Sequence, residues 1–362
     1  MDSARHVRAD GAAVPASIAR IVSTLLSVDP SHERMDGDAA PEGRADEGPV
    51  ESDGAASAVD TSPEEAFARL GNEIRLSILQ ELYERLVVGD RTDSTVAHSE
   101  LRAAVGESDS GKFTYHLNRL IGDLVEKRPG GYVIRYPGRE LVRTIRSGAV
   151  EAPVRVESDP VDADCHRCGA PVTVVYEHGY VSTRCTTCRG TIDLDHTPEG
   201  TLSSISVPAG AVGDAVETAP ADLLDRVHSQ FCHRARAFGD GVCPRCGGAA
   251  DAEIRTCPDH DPTAGPCEEC GIAFPATVEA SCRVCGDRGV FFGGCAVGHR
   301  APFREALADA GVDRLGYDAF AVMAEWVPTP ADRAGETALA FDLPTVEGRV
   351  VVDPRLDVHV GE

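Results

Sequence analysis

Residues 110–136 read SGKFTYHLNRLIGDLVEKRPGGYVIRY, and this stretch decides the fold of the N-terminal half. Its first part carries apolar residues at helical spacing, namely Phe113, Leu117, Leu120, Ile121 and Leu124. Steps of three and four residues place such side chains on one face, which predicts an amphipathic helix over 110–124. Two short runs, Val125–Arg128 and Tyr132–Tyr136, then flank Pro129-Gly130-Gly131. Proline and glycine favour a tight turn, so we expect a β-hairpin here.

The segments on either side of this stretch extend the pattern with three more helices. Ser62-Pro63-Glu64-Glu65 is a typical helix start, and an apolar stripe from Phe67 to Leu82 predicts a long helix ending near Leu86. Ser99 is a candidate cap for a short helix that Gly106 ends, and another helix is expected near 138–147. Three helices, a hairpin and a helix over residues 61–148 are the order of a winged helix-turn-helix domain.

Two segments resemble a known family. RLGNEIRLSIL (69–79) is similar to the opening helix of the ArsR-type winged-helix regulators, while FTYHLNRL (113–120) and Gly131-Tyr132 resemble their recognition helix and wing. The order of the remaining pieces resembles haloarchaeal regulators that join such a domain to a cysteine-rich half. The resemblance covers about a quarter of the chain. It implies a transcriptional regulator that binds double-stranded DNA as a homodimer. Residues 61–148 contain no cysteine, so metal sensing within this domain is not expected.

The charge of the whole chain argues against a nucleic-acid partner, whereas the local charge argues for one. Asp and Glu number 59 against 35 Lys and Arg, a net charge of −24, and only Lys112 and Lys127 are lysine. This composition indicates a cytoplasm at molar salt, although codon bias toward arginine is an alternative. Residues 108–146 nevertheless hold eight basic and four acidic residues. A +4 stretch in so acidic a background favours a nucleic-acid footprint over an ordinary solvated face.

Helical geometry assigns roles to individual residues in this basic stretch. Burying the apolar stripe turns Lys112, Tyr115, Asn118 and Arg119 outward, with Thr114 and His116 on the flanks. The outward set is suited to base edges in the major groove, while Lys127, Arg128 and Arg135 of the wing are suited to phosphates. His116 is only an edge candidate, because packing against a neighbouring helix is an equally good interpretation.

The C-terminal half holds all 13 cysteines, most of them in C-x-x-C pairs. Paired cysteines in a reducing compartment indicate metal ligands rather than disulfides. Cys165, Cys168, Cys185 and Cys188 flank a predicted hairpin, as in a zinc ribbon. The remaining candidate ligands are Cys243, Cys246, Cys257, His260, Cys267, Cys270, Cys282 and Cys285.

The pairing of the later knuckles is open. Sequential pairing, with Cys243/Cys246 beside Cys257/His260 and Cys267/Cys270 beside Cys282/Cys285, is favoured because each set would enclose one short strand. An interleaved arrangement, in which the Cys243 knuckle joins the Cys282 knuckle, is the alternative. Two or three structural zinc ions are therefore expected. Cys232, Cys295 and His299 are left over, and we expect two small buried residues and a surface histidine.

Sets of four thiolate-rich ligands form closed sites, and the chain lacks the motifs of zinc hydrolases and deaminases, so we expect no enzyme activity. The expected fold class is α+β: a disordered acidic tail (1–60), a winged helix-turn-helix domain (61–148), a zinc ribbon (160–210) and a second zinc-ribbon-containing α+β domain (218–362). With no membrane span or signal peptide evident, the expected location is the cytoplasm.

Two other functions stay open from the sequence. The first is a protein-interaction adaptor that docks through its C-terminal half without reading DNA. The second is an enzyme or thiol redox switch that uses the left-over cysteines.

Overall fold

The computed structural model describes residues 71–88, 94–149, 155–194, 197–261 and 265–361. The chain divides into two compact units, Met1–Glu151 and Ala152–Glu362. Both mix helices with small sheets, which confirms the α+β class. The predicted tail, the helix start at Ser62 and residues 69 and 70 of the 69–79 segment lie outside the described residues.

The first unit contains four helices and a two-stranded sheet in the described ranges. In chain order they are α1 (Glu73–Val88), α2 (His98–Val105), α3 (Ser110–Asn118), β1 (Val125–Arg128), β2 (Gly131–Ile134) and α4 (Tyr136–Arg146). The hairpin pairs Val125 with Ile134 and Arg128 with Gly131, as the sequence predicted to within two residues.

Two helix boundaries in this unit differ from the prediction. Helix α3 ends at Asn118 rather than Leu124: the Leu120 amide donates to the Leu117 carbonyl in a tighter turn, and Gly122 further on has a φ of 103°, outside the helical region. Helix α2 begins at His98 after Ala97, without a side-chain cap from Ser99. The start of α3 is capped instead by Asp109, whose carboxylate accepts hydrogen bonds from the amides of Gly111 and Lys112 at 2.8 and 3.0 Å.

Gly131 allows the hairpin to pack closely against the segment before α2. Val96 and Tyr132 exchange two backbone hydrogen bonds of 3.0 and 2.9 Å, so Val96 forms an antiparallel β-bridge with β2. A Cβ atom at position 131 would lie 2.1 Å from the Val96 carbonyl oxygen. No larger residue fits there, so the β1–β2 hairpin packs against the Val96 segment through a close backbone contact.

The core of the first unit explains the fixed orientation of α3. Phe113, Leu117 and Leu120 are fully buried and pack with Ile78, Leu79 and Leu82 of α1. Because Phe113 and Leu117 lie on one face of α3, the opposite face is held toward solvent.

The second unit begins with a five-stranded antiparallel sheet. Its strands are β3 (Val156–Glu157), β4 (Val161–Asp164), β5 (Pro171–Glu177), β6 (Tyr180–Cys185) and β7 (Thr201–Ser206), in the order β3-β5-β6-β7 with β4 also on β5. Two short helices, α5 (Ala209–Val212) and α6 (Ala215–Thr218), lead into the long helix α7 (Pro220–Gly239).

Two more sheets and three helices complete the described part of this unit. The first sheet contains β8 (Ala250–Thr256), β9 (Ala276–Cys282) and β10 (Arg288–Phe292), in the order β10-β9-β8. The helices are α8 (Gly293–Val297), α9 (Ala301–Asp309) and α10 (Tyr317–Glu325). The last sheet contains β11 (Thr329–Arg333), β12 (Glu336–Phe341), β13 (Val350–Val352) and β14 (Val358–Val360) in chain order.

One apolar core runs through most of this unit. Val174 of β5, Phe238 of α7, Phe291 of β10 and Phe320 of α10 belong to a single buried cluster. Segments 160–210 and 218–362, which we expected as two domains, therefore share a core in one compact unit. In the described ranges no helix has the length and apolar character required to cross a bilayer.

Candidate nucleic-acid interface and metal sites

The outward face of α3 carries the residues that the helical pattern predicted there. Lys112, Tyr115, Asn118 and Arg119 are all exposed. The Arg119 guanidinium lies 5.5 Å from the centre of the Tyr115 ring, and its Nη1 donates to the Tyr115 hydroxyl at 3.2 Å. Tyr115 lies one turn before Arg119 and is 57% exposed. The contact therefore keeps the Arg119 guanidinium on the solvent-exposed side of the helix.

The two flanking candidates are turned inward. His116 is 8% exposed, and its Nδ1 lies 3.3 Å from Nη1 of Arg75 on α1. Burial, followed by the Arg75 charge, lowers the pKa of His116, so the ring is neutral at pH 7. Of the two interpretations of His116, the structure therefore shows packing against a neighbouring helix, and its nucleic-acid contact stays a prediction. Thr114 is half-buried, donates to the Ser110 carbonyl at 2.7 Å and contacts His98 Nε2 at 3.1 Å.

The hairpin presents its basic residues to solvent in different ways. Lys127 and Arg128 are exposed, and the Arg128 guanidinium pairs with both carboxylate oxygens of Glu126 at 3.0 Å. Arg135, also exposed, donates to the Gly122 carbonyl oxygen and so ties the turn after α3 to the end of β2. Lys127 is thus the most available of the three predicted wing cations for a phosphate.

The structure gathers the twelve predicted metal ligands into three clusters, each with its four donor atoms within 4.8 Å of one another. The first cluster is Cys165, Cys168, Cys185 and Cys188. Its knuckles meet because β5 pairs with β6 in a register that places Val172 opposite Cys185. The sulfurs of Cys165 and Cys188 are 3.7 Å apart. Zinc–sulfur bonds of about 2.3 Å give a tetrahedral edge of about 3.8 Å, so the spacing fits zinc and not a disulfide.

The second cluster is Cys243, Cys246, Cys282 and Cys285, which is the interleaved arrangement. The favoured sequential pairing is therefore wrong. Sequential pairing fails because strand β8 separates the Cys243 knuckle from the Cys257 knuckle by seven extended residues. At about 3.3 Å per residue, the strand ends are about 20 Å apart and cannot share one ion. Strand β9 instead pairs Cys282 with Ala250, which returns the Cys282 knuckle to the Cys243 end.

The third cluster forms at the opposite end of the same hairpin and contains Cys257, His260, Cys267 and Cys270. His260 is a genuine member of it. Its Nε2 lies 3.2 Å from the Ala273 carbonyl, and its Nδ1 lies 3.7 Å from the Cys270 sulfur. A proton on Nε2 that is donated to this carbonyl leaves the Nδ1 lone pair for a metal, the usual arrangement of a ligating histidine.

The pKa values of the thiols in these clusters are shifted in ways that a bound cation would compensate. Backbone amides of Cys285 and Val284 donate to the Cys282 sulfur and lower the pKa of that thiol to about 6. The Gly248 amide acts the same way on Cys246, yet neighbouring thiols outweigh it and raise the Cys246 pKa to about 12. Four thiolates this close repel one another, and a divalent cation removes that repulsion. Two clusters of four cysteines and one of three cysteines with a histidine are donor sets compatible with zinc.

Sequence reasoning overlooked the glycines that shape the knuckles. Four of the C-x-x-C pairs are followed directly by glycine: Gly169, Gly247, Gly271 and Gly286. All four have positive φ angles between 68° and 73°, and each amide donates to the carbonyl of the first cysteine in its pair. The repeated C-x-x-C-G signal was visible in the sequence, because a turn into the left-handed region favours glycine.

The left-over residues do not join a cluster. Cys232 and Cys295 are each 3% exposed, and burial, together with the adjacent Cys232 thiol, raises the pKa of Cys295 well above its usual value. This agrees with the expected small buried residues. His299 was expected at the surface, but its side chain is only 16% exposed and its Nε2 lies 3.2 Å from Asp240.

These features define a two-unit protein: a unit of helices and a hairpin is followed by a unit with three cysteine-rich clusters. Residues 63–145 match a domain of unknown function (DUF7347), and residues 162–358 match a second domain of unknown function (DUF7351). The second match covers more than half of the chain, so the protein belongs to the DUF7351 family. No curated protein and no solved structure matched it.

Proposed function

We propose that this protein is a cytoplasmic DNA-binding transcriptional regulator rather than an enzyme. In this proposal the first unit is a winged helix-turn-helix domain, α3 is its recognition helix and the β1–β2 hairpin is its wing. The order of three helices, a hairpin and a helix supports that assignment, as does the resemblance to ArsR-type regulators. The same resemblance supports a homodimer that reads two half-sites.

The observation that carries the proposal is the exposed face of α3. An α-helix with its side chains is about 10–12 Å in diameter, which fits a major groove about 12 Å wide, and the nine residues of α3 give it about two and a half turns. Arg119 can bind a guanine edge with two hydrogen bonds and Asn118 an adenine edge, while Lys112 lies at the other end of the same outward set. The buried opposite face fixes the direction in which these side chains point.

The wing supplies contacts of a different kind. Lys127 and Arg128 lie at the exposed end of the hairpin, where phosphates rather than base edges are within reach of such residues. At molar salt the Debye length is about 3 Å, so long-range attraction to DNA is weak. Binding under such conditions depends on close contacts, which places more of the affinity on α3.

The three clusters are proposed as structural zinc sites. Each has four protein donors, which leaves no coordination position for a catalytic water. Two clusters lie at opposite ends of the β8–β9 hairpin, where they join loops that have little apolar core of their own.

Two single substitutions test the assignment of α3. We expect Arg119→Ala to reduce affinity for a preferred duplex by about 10- to 100-fold while binding to random DNA changes little, since one bidentate base contact contributes about 1–3 kcal/mol. Arg128→Ala should weaken both kinds of binding equally and lower the salt-dependence slope by about one. Fluorescence anisotropy with labelled duplexes at several salt concentrations measures both effects.

Equal losses on both duplexes for both variants would contradict the recognition role of α3. A wild-type protein without any duplex preference that retains a protein partner would favour an adaptor function instead.

A further inference from the structure

A cavity of about 380 Å³ lies within the second unit, between two strands at the edges of their sheets. Residues of β7 form one side and residues of β10 form the other. Phe231 of α7 and Phe320 of α10 lie among its lining residues. Its volume is within the range of small-molecule sites, about 300–1,000 Å³.

The interior of the cavity is mainly aromatic and aliphatic. Phe231 packs against the rings of Phe291, Phe292 and Phe320 at centroid distances of 5.2 to 6.4 Å. Gly289 makes room for one of these rings, because a Cβ atom there would lie 2.3 Å from the Phe291 ring. The aromatic surface is thus held in place by the packing of neighbouring side chains and backbone.

The opening of the cavity is also apolar. Tyr180, Leu194 and Val290 line the cavity and are 44%, 37% and 52% exposed. Single exposed apolar residues are common on protein surfaces, whereas three around one opening form a contiguous patch that indicates a binding site.

Positive charge is concentrated at this cavity. Among the described residues that line it, Arg234 and Arg288 are charged and none is acidic, in a chain where acids outnumber bases by 59 to 35. Arg234 is already paired with the Asp287 carboxylate at 3.1 Å. Arg288 is exposed, and its guanidinium has no hydrogen bond or ion pair with the part of the chain that the structure describes. An unpaired guanidinium beside an apolar chamber is complementary to an anionic group on an apolar molecule.

One wall of the cavity connects the loops of two of the candidate metal sites. Ile192, which follows the first cluster, and Ile272, which follows the Cys267 knuckle of the third, form a β-bridge and both line the cavity. Backbone hydrogen bonds of 2.8 Å (Asp193 to Gly271) and 2.9 Å (Ala273 to Thr191) reinforce this bridge. The chamber is therefore supported on this side by the same loops that carry the candidate zinc ligands.

We propose that this cavity binds a small organic anion with an aromatic or aliphatic body and one carboxylate or sulfonate group. The apolar body lies against Phe231, Leu194 and Val290, above the buried rings of Phe291 and Phe320, and the anionic group contacts Arg288. This site is independent of the proposed DNA-binding function, because every residue that carries it belongs to the second unit.

Two fluorescent probes test the proposal on the full-length protein. 1-Anilinonaphthalene-8-sulfonate has the required apolar body and one negative charge, and N-phenyl-1-naphthylamine is its neutral counterpart. We expect one saturable sulfonate site per chain. Arg288→Glu should weaken sulfonate binding about tenfold, as expected for loss of a charge-assisted hydrogen bond, and change binding of the neutral probe less than twofold.

Arg304→Glu is the matched control, because Arg304 is exposed on α9 of the same unit and does not line the cavity. It should change neither probe. Val290→Asp, at the opening, should weaken both probes, and Val360→Asp, at an exposed position of β14, should weaken neither. Unchanged zinc content and circular dichroism identify variants that have kept the fold.

Three results would overturn the proposal. The first is the absence of saturable sulfonate binding to the folded wild-type protein. The second is an equal loss for Arg288→Glu and Arg304→Glu. The third is an equal loss of both probes in Arg288→Glu, because the loss would then not depend on the negative charge that Arg288 is proposed to contact.

Discussion

Zinc counting in double variants tests the interleaved pairing of the knuckles. In the structure the sulfurs of Cys246 and Cys282 are 3.5 Å apart, so both residues contribute to one cluster. Cys257 lies beyond the seven extended residues of β8, about 20 Å away along the strand. Loss of one ligand from a four-ligand structural site is expected to release its ion.

The wild-type protein should therefore contain three zinc ions per chain. Cys246→Ser/Cys282→Ser should contain two, because both substitutions affect the second cluster. Cys246→Ser/Cys257→Ser should contain one, because they affect two clusters. Sequential pairing predicts the reverse order, one ion for the former variant and two for the latter.

Elemental analysis of purified protein gives these ratios, and cobalt substitution shows through its thiolate charge-transfer band whether the remaining sites are intact. Cys232→Ala is the control and should keep three ions, since Cys232 belongs to no cluster. Two ions in Cys246→Ser/Cys257→Ser, with one in Cys246→Ser/Cys282→Ser, would refute the strand-length argument.

Two further predictions concern stability. Gly131→Ala should destabilise the first unit by about 1–3 kcal/mol in urea unfolding, because the new Cβ would lie 2.1 Å from a backbone oxygen that cannot move independently; Gly111→Ala in α3, which would meet only the Asp109 side chain at 3.3 Å, should be neutral or stabilising. His228 is fully buried, and burial lowers its pKa to about 4 against 6.5 when unfolded. Its protonation therefore favours the unfolded state, so its contribution is complete above pH 6.5 and decreases toward pH 4, by about 2 kcal/mol at pH 5. The stability advantage of wild type over His228→Gln should shrink by about this amount between pH 7.5 and pH 5, and an advantage that does not change with pH would contradict the assignment.

Local patterns predicted the parts of the fold that depend on one segment. The apolar stripe of α3 is set by its own spacing, so its buried and exposed faces followed from the sequence. The position of His116 did not, because its burial depends on Arg75 of α1, more than forty residues earlier. A helical pattern places a residue on a flank but does not show which neighbour covers that flank.

The metal ligands were predictable individually and their grouping was not. Knuckle spacing identified all twelve residues, and the choice of partners depends on which strand pairs with which. The strand predicted between two knuckles already contradicted sequential pairing, because an extended strand separates its ends. The cavity lined by β7, α7 and β10 had no local signal at all, since it forms where segments far apart in the chain meet.

Selection of duplexes from a random library tests the DNA-binding proposal most directly. Full-length protein at molar potassium chloride should enrich an inverted repeat with half-sites about 10 base pairs apart, as expected for two recognition helices in a symmetric dimer. The enrichment should disappear in Arg119→Ala and persist in Arg128→Ala. A wild-type protein, zinc-loaded and folded, that enriches no sequence would contradict the account.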